Sequence, residues 1–456
     1  MKKDNKFLRE APVGKLLFTL AVPTIIAQLI NMLYNIVDRI YIGHMKEVGD
    51  LALTGVGVCM PIIMIVSAFA AFISAGGAPR ASIFMGKGDN DSAEKTMGSC
   101  FTLQVLISVI ITIVLLFFHR PMLLSFGASE NTINYASDYM GIYALGTIFV
   151  ELTLGMNAYI TAQGFAKQGM LSVVIGAVSN IILDPVFIFV LDLGVKGAAI
   201  ATIISQGFSC LWVVGFLCSK SSILRLKTKN LRINLKLILP CLALGLAPFI
   251  MQSSESIISA CFNSSLLLYG GDIAVGAMTI LTSVMQFAMM PLQGLAQGSQ
   301  PIISYNYGAK IPSRVKRTFK LLLISSLIYS TVLWACIMIF PRAFAGIFTA
   351  DAALLDFTEN ALRIYCAVLC VFGIQIACQM TFVSLGKAKS SIIVAVMRKF
   401  VLLIPLIYIL PSFMKDKTMA VYTAEPVADV LAVTFTAVLF FFVFKKAMKE
   451  IEIATK

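Results

Sequence analysis

Gly76-Gly77-Ala78-Pro79 returns in outline as Gly298-Ser299-Gln300-Pro301. The Gly, Pro, Ser and closing Gly of the first copy (Gly76, Pro79, Ser82, Gly86) each reappear 222 residues later as Gly298, Pro301, Ser304 and Gly308. The same displacement relates Ile142-Tyr143 to Ile364-Tyr365, Gly164 to Gly386 and Lys167 to Lys389. A match held over that distance marks a duplicated unit. The fold therefore has to be two like halves, and in an apolar chain such halves face each other around a shared site.

Hydrophobic residues make up 59% of the 456 positions and charged residues 13%, about half the charged share of a soluble domain. A helix needs about 20 mostly apolar residues to cross a bilayer. Twelve segments qualify, beginning near residues 16, 52, 97, 139, 168, 196, 237, 273, 319, 360, 390 and 425. The expectation is an all-α polytopic membrane protein of twelve transmembrane helices. Six spans per half is an even number, so the second copy enters the membrane from the same side as the first, and the two six-helix lobes are parallel. The N-lobe is 1–219, the basic and polar stretch 220–236 is a linker, and the C-lobe is 237–456.

The net charge of +13 invites a nucleic-acid partner, but the basic residues alternate by side of the membrane. All but eight of the 36 Lys and Arg fall on the side of the linker and termini; the exceptions are Arg39, Lys46, Arg120, Lys196, Arg342, Arg363, Lys415 and Lys417. That bias places both termini on the cytoplasmic face of the plasma membrane, makes anionic lipid headgroups the partner of the basic side, and removes the nucleic-acid reading. The first apolar run continues past Pro23 to Tyr41 with no small-residue cleavage site, so it reads as a retained span. The ten Cys lie in or beside apolar segments, with Cys366 and Cys370 one turn apart, and read as packing residues.

Ionisable groups inside spans are costly and mark function. Those visible are Asp38 and Arg39, Glu151, Asp184, Glu255, and Arg398 with Lys399. Asp429 reads as lying near the outer end of the twelfth span, in a snorkelling or capping role. Asn180 precedes Asp184 by one turn and Pro185 follows it; a carboxyl in hydrocarbon takes up a proton, or, with an amide beside it, ligates Na⁺. Asn31, Tyr34, Asn35 and Asp38 share one face of the first helix at three- and four-residue spacing, and that face belongs to a cavity. Glu151, with Asn157 two turns inward, fits a substrate or relay role as well as a satisfied structural acid. Gln252 and Glu255 belong to a polar stripe in the seventh span. Pro23 and Pro248 occupy matching places in the first helix of each half and, with Pro185, are candidate hinges. Ile404 stands where a C-lobe counterpart of Asp184 would fall, so ion coupling is expected mainly in the N-lobe. The loop Gly86 to Asp91 lacks both Walker spacing and the later Glu of a Ca²⁺ loop.

Leu33-Tyr34-Asn35-Ile36-Val37-Asp38 with Ile42-Gly43, the run Asn180 to Pro185, and Gly197-Ala198-Ala199-Ile200-Ala201-Thr202 resemble the multidrug and toxic compound extrusion (MATE) family, most closely its DinF-like branch. The likeness covers nearly the whole chain. It implies a V-shaped pair of lobes, efflux of amphipathic and often cationic compounds in exchange for H⁺ or Na⁺, no further cofactor, no catalysis, and a monomer. It also implies an N-lobe cation site, for H⁺ or Na⁺, at Asp38, Asn180, Asp184 and Thr202. The NorM-like branch pairs an acid matched by Glu255 with an Asp in helix 10, but no acid occurs between Ala361 and Gly386. Glu255 is therefore assigned to cationic substrate or a secondary proton role. A lipid-linked precursor flippase of the same superfamily would carry more spans or a basic cavity, a major-facilitator transporter a Gly-Asp-Arg signature after helix 2, and a membrane transferase paired acidic motifs.

Overall fold

The computed structural model describes residues 6–45 and 48–453. Lys2, Lys3, Lys46 and Lys456 of the charge bias lie outside them, as does the side chain of Lys6. The spans of the first half are α1 (Val13–Gly43), α2 (Gly49–Gly86), α3 (Asn90–Ser125), α4 (Ile133–Ala162), α5 (Ala166–Val190) and α6 (Gly194–Cys218). The helix Leu235–Gly308 has 74 residues, about 111 Å at 1.5 Å per residue, far longer than any bilayer. It is broken at Gly271, whose φ of 64° and ψ of −161° are open only to glycine. Its arms are α7 (235–270) and α8 (272–308). Then follow α9 (Pro312–Ile339), α10 as a pair, Ala352–Tyr365 and Leu369–Ser384, bent by 46°, α11 (Ala388–Ser412) and α12 (Lys417–Ile453). Among the described residues this gives twelve spans, the expected number.

The boundaries follow local chemistry. Asp89 caps α3, accepting from the Ser92 amide at 3.0 Å. The Ser92 hydroxyl and amide together hold this carboxyl below the usual carboxylate range. Gly88 turns the chain just before it with a φ of 80°, so the Gly86 to Asp91 loop is a helix-capping turn. Between α6 and α7 the linker is tied down: Glu94 of α3 accepts from the Arg225 amide and pairs with Lys227, and the side-chain Oε1 of Gln163 accepts from the Ser222 hydroxyl and the Ile223 and Leu224 amides. Pro23 and Pro248 lie inside uninterrupted helices. After Pro185 the chain widens into a π-turn, Val186–Val190, and α11 contains a second one, Met397–Leu403, just before Pro405. In each a backbone amide reaches back five residues, Leu191 to Val186 and Ile404 to Lys399, next to a proline that has no amide to give.

The duplication is visible atom by atom. Ser82 Oγ donates to the Ala162 carbonyl at 2.8 Å, and Ser304 Oγ, 222 residues on, donates to Ser384 at 2.8 Å. Where the halves meet, backbone rests on backbone. A Cβ on Gly76 would strike the Cys241 carbonyl, and one on its counterpart Gly298 would strike Ala21. Gly245 meets Phe72, and Gly294, the repeat of Phe72, meets Ile25. Gly86 meets Tyr305, and Gly308 meets Ile83. Thr24 Oγ1 closes one crossing by donating to the Gly294 carbonyl at 2.6 Å. All these crossings lie toward the ends of α1, α2, α7 and α8 nearest the linker, so the lobes form a V with its apex on the linker side. Arg314 fastens the same side, donating to the Leu8 and Ala11 carbonyls at 3.1 and 2.7 Å.

Such contacts have no flexible side chain to yield. Gly245→Val should lose about 1–3 kcal/mol of stability, read as an earlier thermal transition in detergent. Gly215→Ala in α6, with nothing within 4 Å of its added methyl, should leave the transition where it is or raise it.

Candidate functional site

In the N-lobe, α1 and α5 bring two carboxyls together. Asp184 and Asn180 are one turn apart on α5, and the Asn180 amide donates to Asp184 Oδ1 at 2.9 Å. Asp38 of α1 and Asp184 lie in each other's electrostatic field. Exposure is 9% for Asp38, 2% for Asn180 and 0% for Asp184. Asp38 Oδ1, Asn180 Oδ1 and Asp184 Oδ2 are buried with no hydrogen-bond partner among the described residues. Three orphaned oxygens, two of them from carboxyls, form a donor set for a proton or a hard monovalent cation. Adjacent carboxylates in a medium of low polarity cannot both stay bare.

Phenols frame this group. Tyr139 of α4 faces Thr202 and lies in the field of Asp38. Tyr34 faces Asn35 and Gln206 and lies in the field of both acids. Thr202 thus stands on the Tyr139 side of the cluster. Neither Tyr139 nor Gln206 is marked in the sequence beyond the four-residue spacing of Tyr139 and Tyr143, whose rings stack at 6.2 Å. Asn35 donates back to the Asn31 carbonyl at 2.6 Å, which keeps both half-buried on α1. Glu151 is fully buried near Gln104 of α3, and both of its carboxylate oxygens lack a hydrogen-bond partner among the described residues, so it is a second uncompensated acid of this lobe. Asn157 ties α4 to α5 by donating to the Gly169 carbonyl at 3.2 Å.

The C-lobe corrects one expectation and adds an acid: Asp429 is a mid-span residue, and Glu425, one turn before it, is a further buried carboxyl. The twelfth helix begins at Lys417, so Glu425 and Asp429 lie two and three turns inside it, buried and one turn apart. Arg398 spans them, with Nη2 to Glu425 Oε1 at 2.9 Å and Nε to Asp429 Oδ1 at 2.7 Å, and its guanidinium lies over the Phe372 ring at 4.8 Å. Lys399 pairs with Glu255 of α7, Nζ to Oε1 at 2.7 Å. Glu255 therefore has a basic partner from α11 in place of an acid from α10. Gln252 is half-buried beside it on α7.

The MatE family model matches residues 23–186 and again 247–409, once in each half. A multidrug export protein, MepA, of Staphylococcus haemolyticus (strain JCSC1435) is 24% identical over 413 residues, covering 90% of each chain. Among solved structures, a complex of the MATE multidrug transporter DinF-BH is 36% identical, with a TM-score of 0.86 over 95% of this chain and 96% of that one. A MATE structure in the bent conformation is 23% identical and superposes with a TM-score of 0.92 over 99% of both chains.

Removing the cation from the C-lobe triad leaves two buried acids without it. Arg398→Met should cost about 3–5 kcal/mol, seen as a large loss of thermal stability. Asp184→Asn, which removes charge from the N-lobe cluster, should melt no lower than the native chain.

Proposed function

This chain belongs to the MatE family, and on that premise we propose that it is a secondary active multidrug efflux antiporter, exporting amphipathic, cationic organic compounds in exchange for H⁺ or Na⁺. The observation that carries this reading is the set of three unpartnered buried oxygens on Asp38, Asn180 and Asp184. Their charge asks for one monovalent cation at a time, and the fold offers two ways to supply it. A proton or Na⁺ is small enough to enter between the carboxyls. A cationic substrate in the cleft feels the same field from Asn31, Tyr34, Asn35 and Asp38 on the face of α1. Loading the ion neutralises the carboxyls, weakens the hold on the substrate and frees it toward the far side.

Return of the ion then requires the V to open on the linker side, parting the glycine crossings of α1 with α8 and α2 with α7. Rocking of two parallel lobes about a central site is the movement a duplicated frame permits. The relatives named for multidrug export support transport over catalysis. The ion is cargo of this cycle and no resident cofactor is invoked. The basic linker side is assigned to the cytoplasmic face of a plasma membrane, where anionic lipids meet it, and the monomer contains the whole path.

The test is dye efflux from proteoliposomes driven in turn by a pH gradient and by a Na⁺ gradient. At least one gradient should drive export by the native chain, and Asp184→Asn should abolish it while remaining folded. Robust gradient-driven export by that variant would overturn the proposal.

A further inference from the structure

The C-lobe cluster holds two cations and three carboxylates, on α7, α11 and α12. Arg398 is committed to Glu425 and Asp429, all three side chains about 10% exposed. The Lys399 pair is of a different kind: its ammonium side chain is 6% exposed while that of Glu255 is 56% exposed. Glu255 lies in mid-span, where an exposed carboxylate facing lipid would be too costly, and it shares one face of α7 with Gln252 and Ser259 at three- and four-residue spacing. On that cost, the face is assigned to the C-lobe wall of the cleft. One oxygen of Glu255 is held from behind by an ammonium that the protein carries itself, and the rest of the carboxylate looks into the path.

We infer that Lys399 is a specificity-determining residue: a tethered counter-cation that occupies Glu255 and that a cationic substrate must replace to bind the C-lobe wall. Lys399 has somewhere to go, since it lies in the field of Glu425, and the triad of Arg398, Glu425 and Asp429 has one negative charge more than Arg398 supplies. The ligand class is a lipophilic monocation, whose charged group takes the position of the Lys399 ammonium beside Glu255. The competition lowers cation affinity at this wall and leaves the affinity for uncharged amphipaths unchanged. This inference rests on the reading of the cleft as an organic-cation path.

Equilibrium binding of ethidium, and of an uncharged dye of similar size, to the full chain in nanodiscs tests it. Lys399→Met should bind ethidium about threefold or more tightly than the native chain, the scale of an unmasked, partly exposed ion pair. Lys399→Arg should stay near native, Glu255→Gln should bind ethidium more weakly, and the double variant K399M/E255Q should lose the gain. The uncharged dye should bind all five proteins alike. Native-like ethidium affinity in a folded Lys399→Met, or a gain that survives Glu255→Gln, overturns the inference alone. If Lys399→Met does not fold, native ethidium affinity in Glu255→Gln overturns it. A native chain that binds no ethidium overturns the efflux reading and the inference with it.

Discussion

A carboxyl group sunk among apolar helices has to be neutralised, and the two lobes of this protein meet that requirement in opposite ways. The C-lobe brings its own cations: Arg398 lies between Glu425 and Asp429, and Lys399 reaches Glu255. The N-lobe brings an amide and phenols, and among the described residues leaves oxygens of Asp38, Asn180, Asp184 and Glu151 without partners. One lobe sets two cations of its own against three carboxylates. The other can be completed only from outside. In the proposed cycle, that difference confines the transported ion to one lobe of a nearly symmetric frame.

The frame itself depends on the absence of side chains. At Gly76 with Cys241, Gly298 with Ala21, Gly86 with Tyr305 and Gly308 with Ile83, main chain approaches main chain at the apex of the V. The two members of each pair of crossings are related by the internal repeat. Contacts of this sort pack tightly without interlocking side chains, so they can hold one arrangement firmly and still part as a unit. The widened turns after Pro185 and before Pro405 repeat the same economy within α5 and α11, placing the ionisable residues of each lobe beside a local irregularity of the helix.

Much of this was legible in the residues. The 222-residue displacement located the glycines at the crossings; polar spacing singled out Asp38 on α1 and Asn180 with Asp184 on α5, and the family resemblance is what joined them in one expected site. The failures have physical causes. Helix α12 was expected to begin near 425, yet it begins at Lys417; that shift of two turns made Asp429 look like an end-of-helix residue and hid Glu425 altogether. Glu151 was ambiguous because helical spacing says which residues share a face but not whether the face looks at a cleft or at a neighbouring helix, here Gln104 on α3. Tyr139 escaped notice because a phenol in an apolar span counts as hydrophobic until its hydroxyl is seen to face Thr202. The Lys399 to Glu255 pair joins residues 144 positions apart, a separation that no local pattern can bridge.

The central claim is that substrate and ion compete for the charge of one carboxyl cluster. Calorimetric affinity for tetraphenylphosphonium, followed across pH and across Na⁺ concentration on the purified protein, addresses it directly. The account predicts that the native chain binds this cation more weakly as H⁺ or Na⁺ rises, and that the double variant D38N/D184N loses that dependence. Affinity of the native chain unchanged by both ions would contradict it.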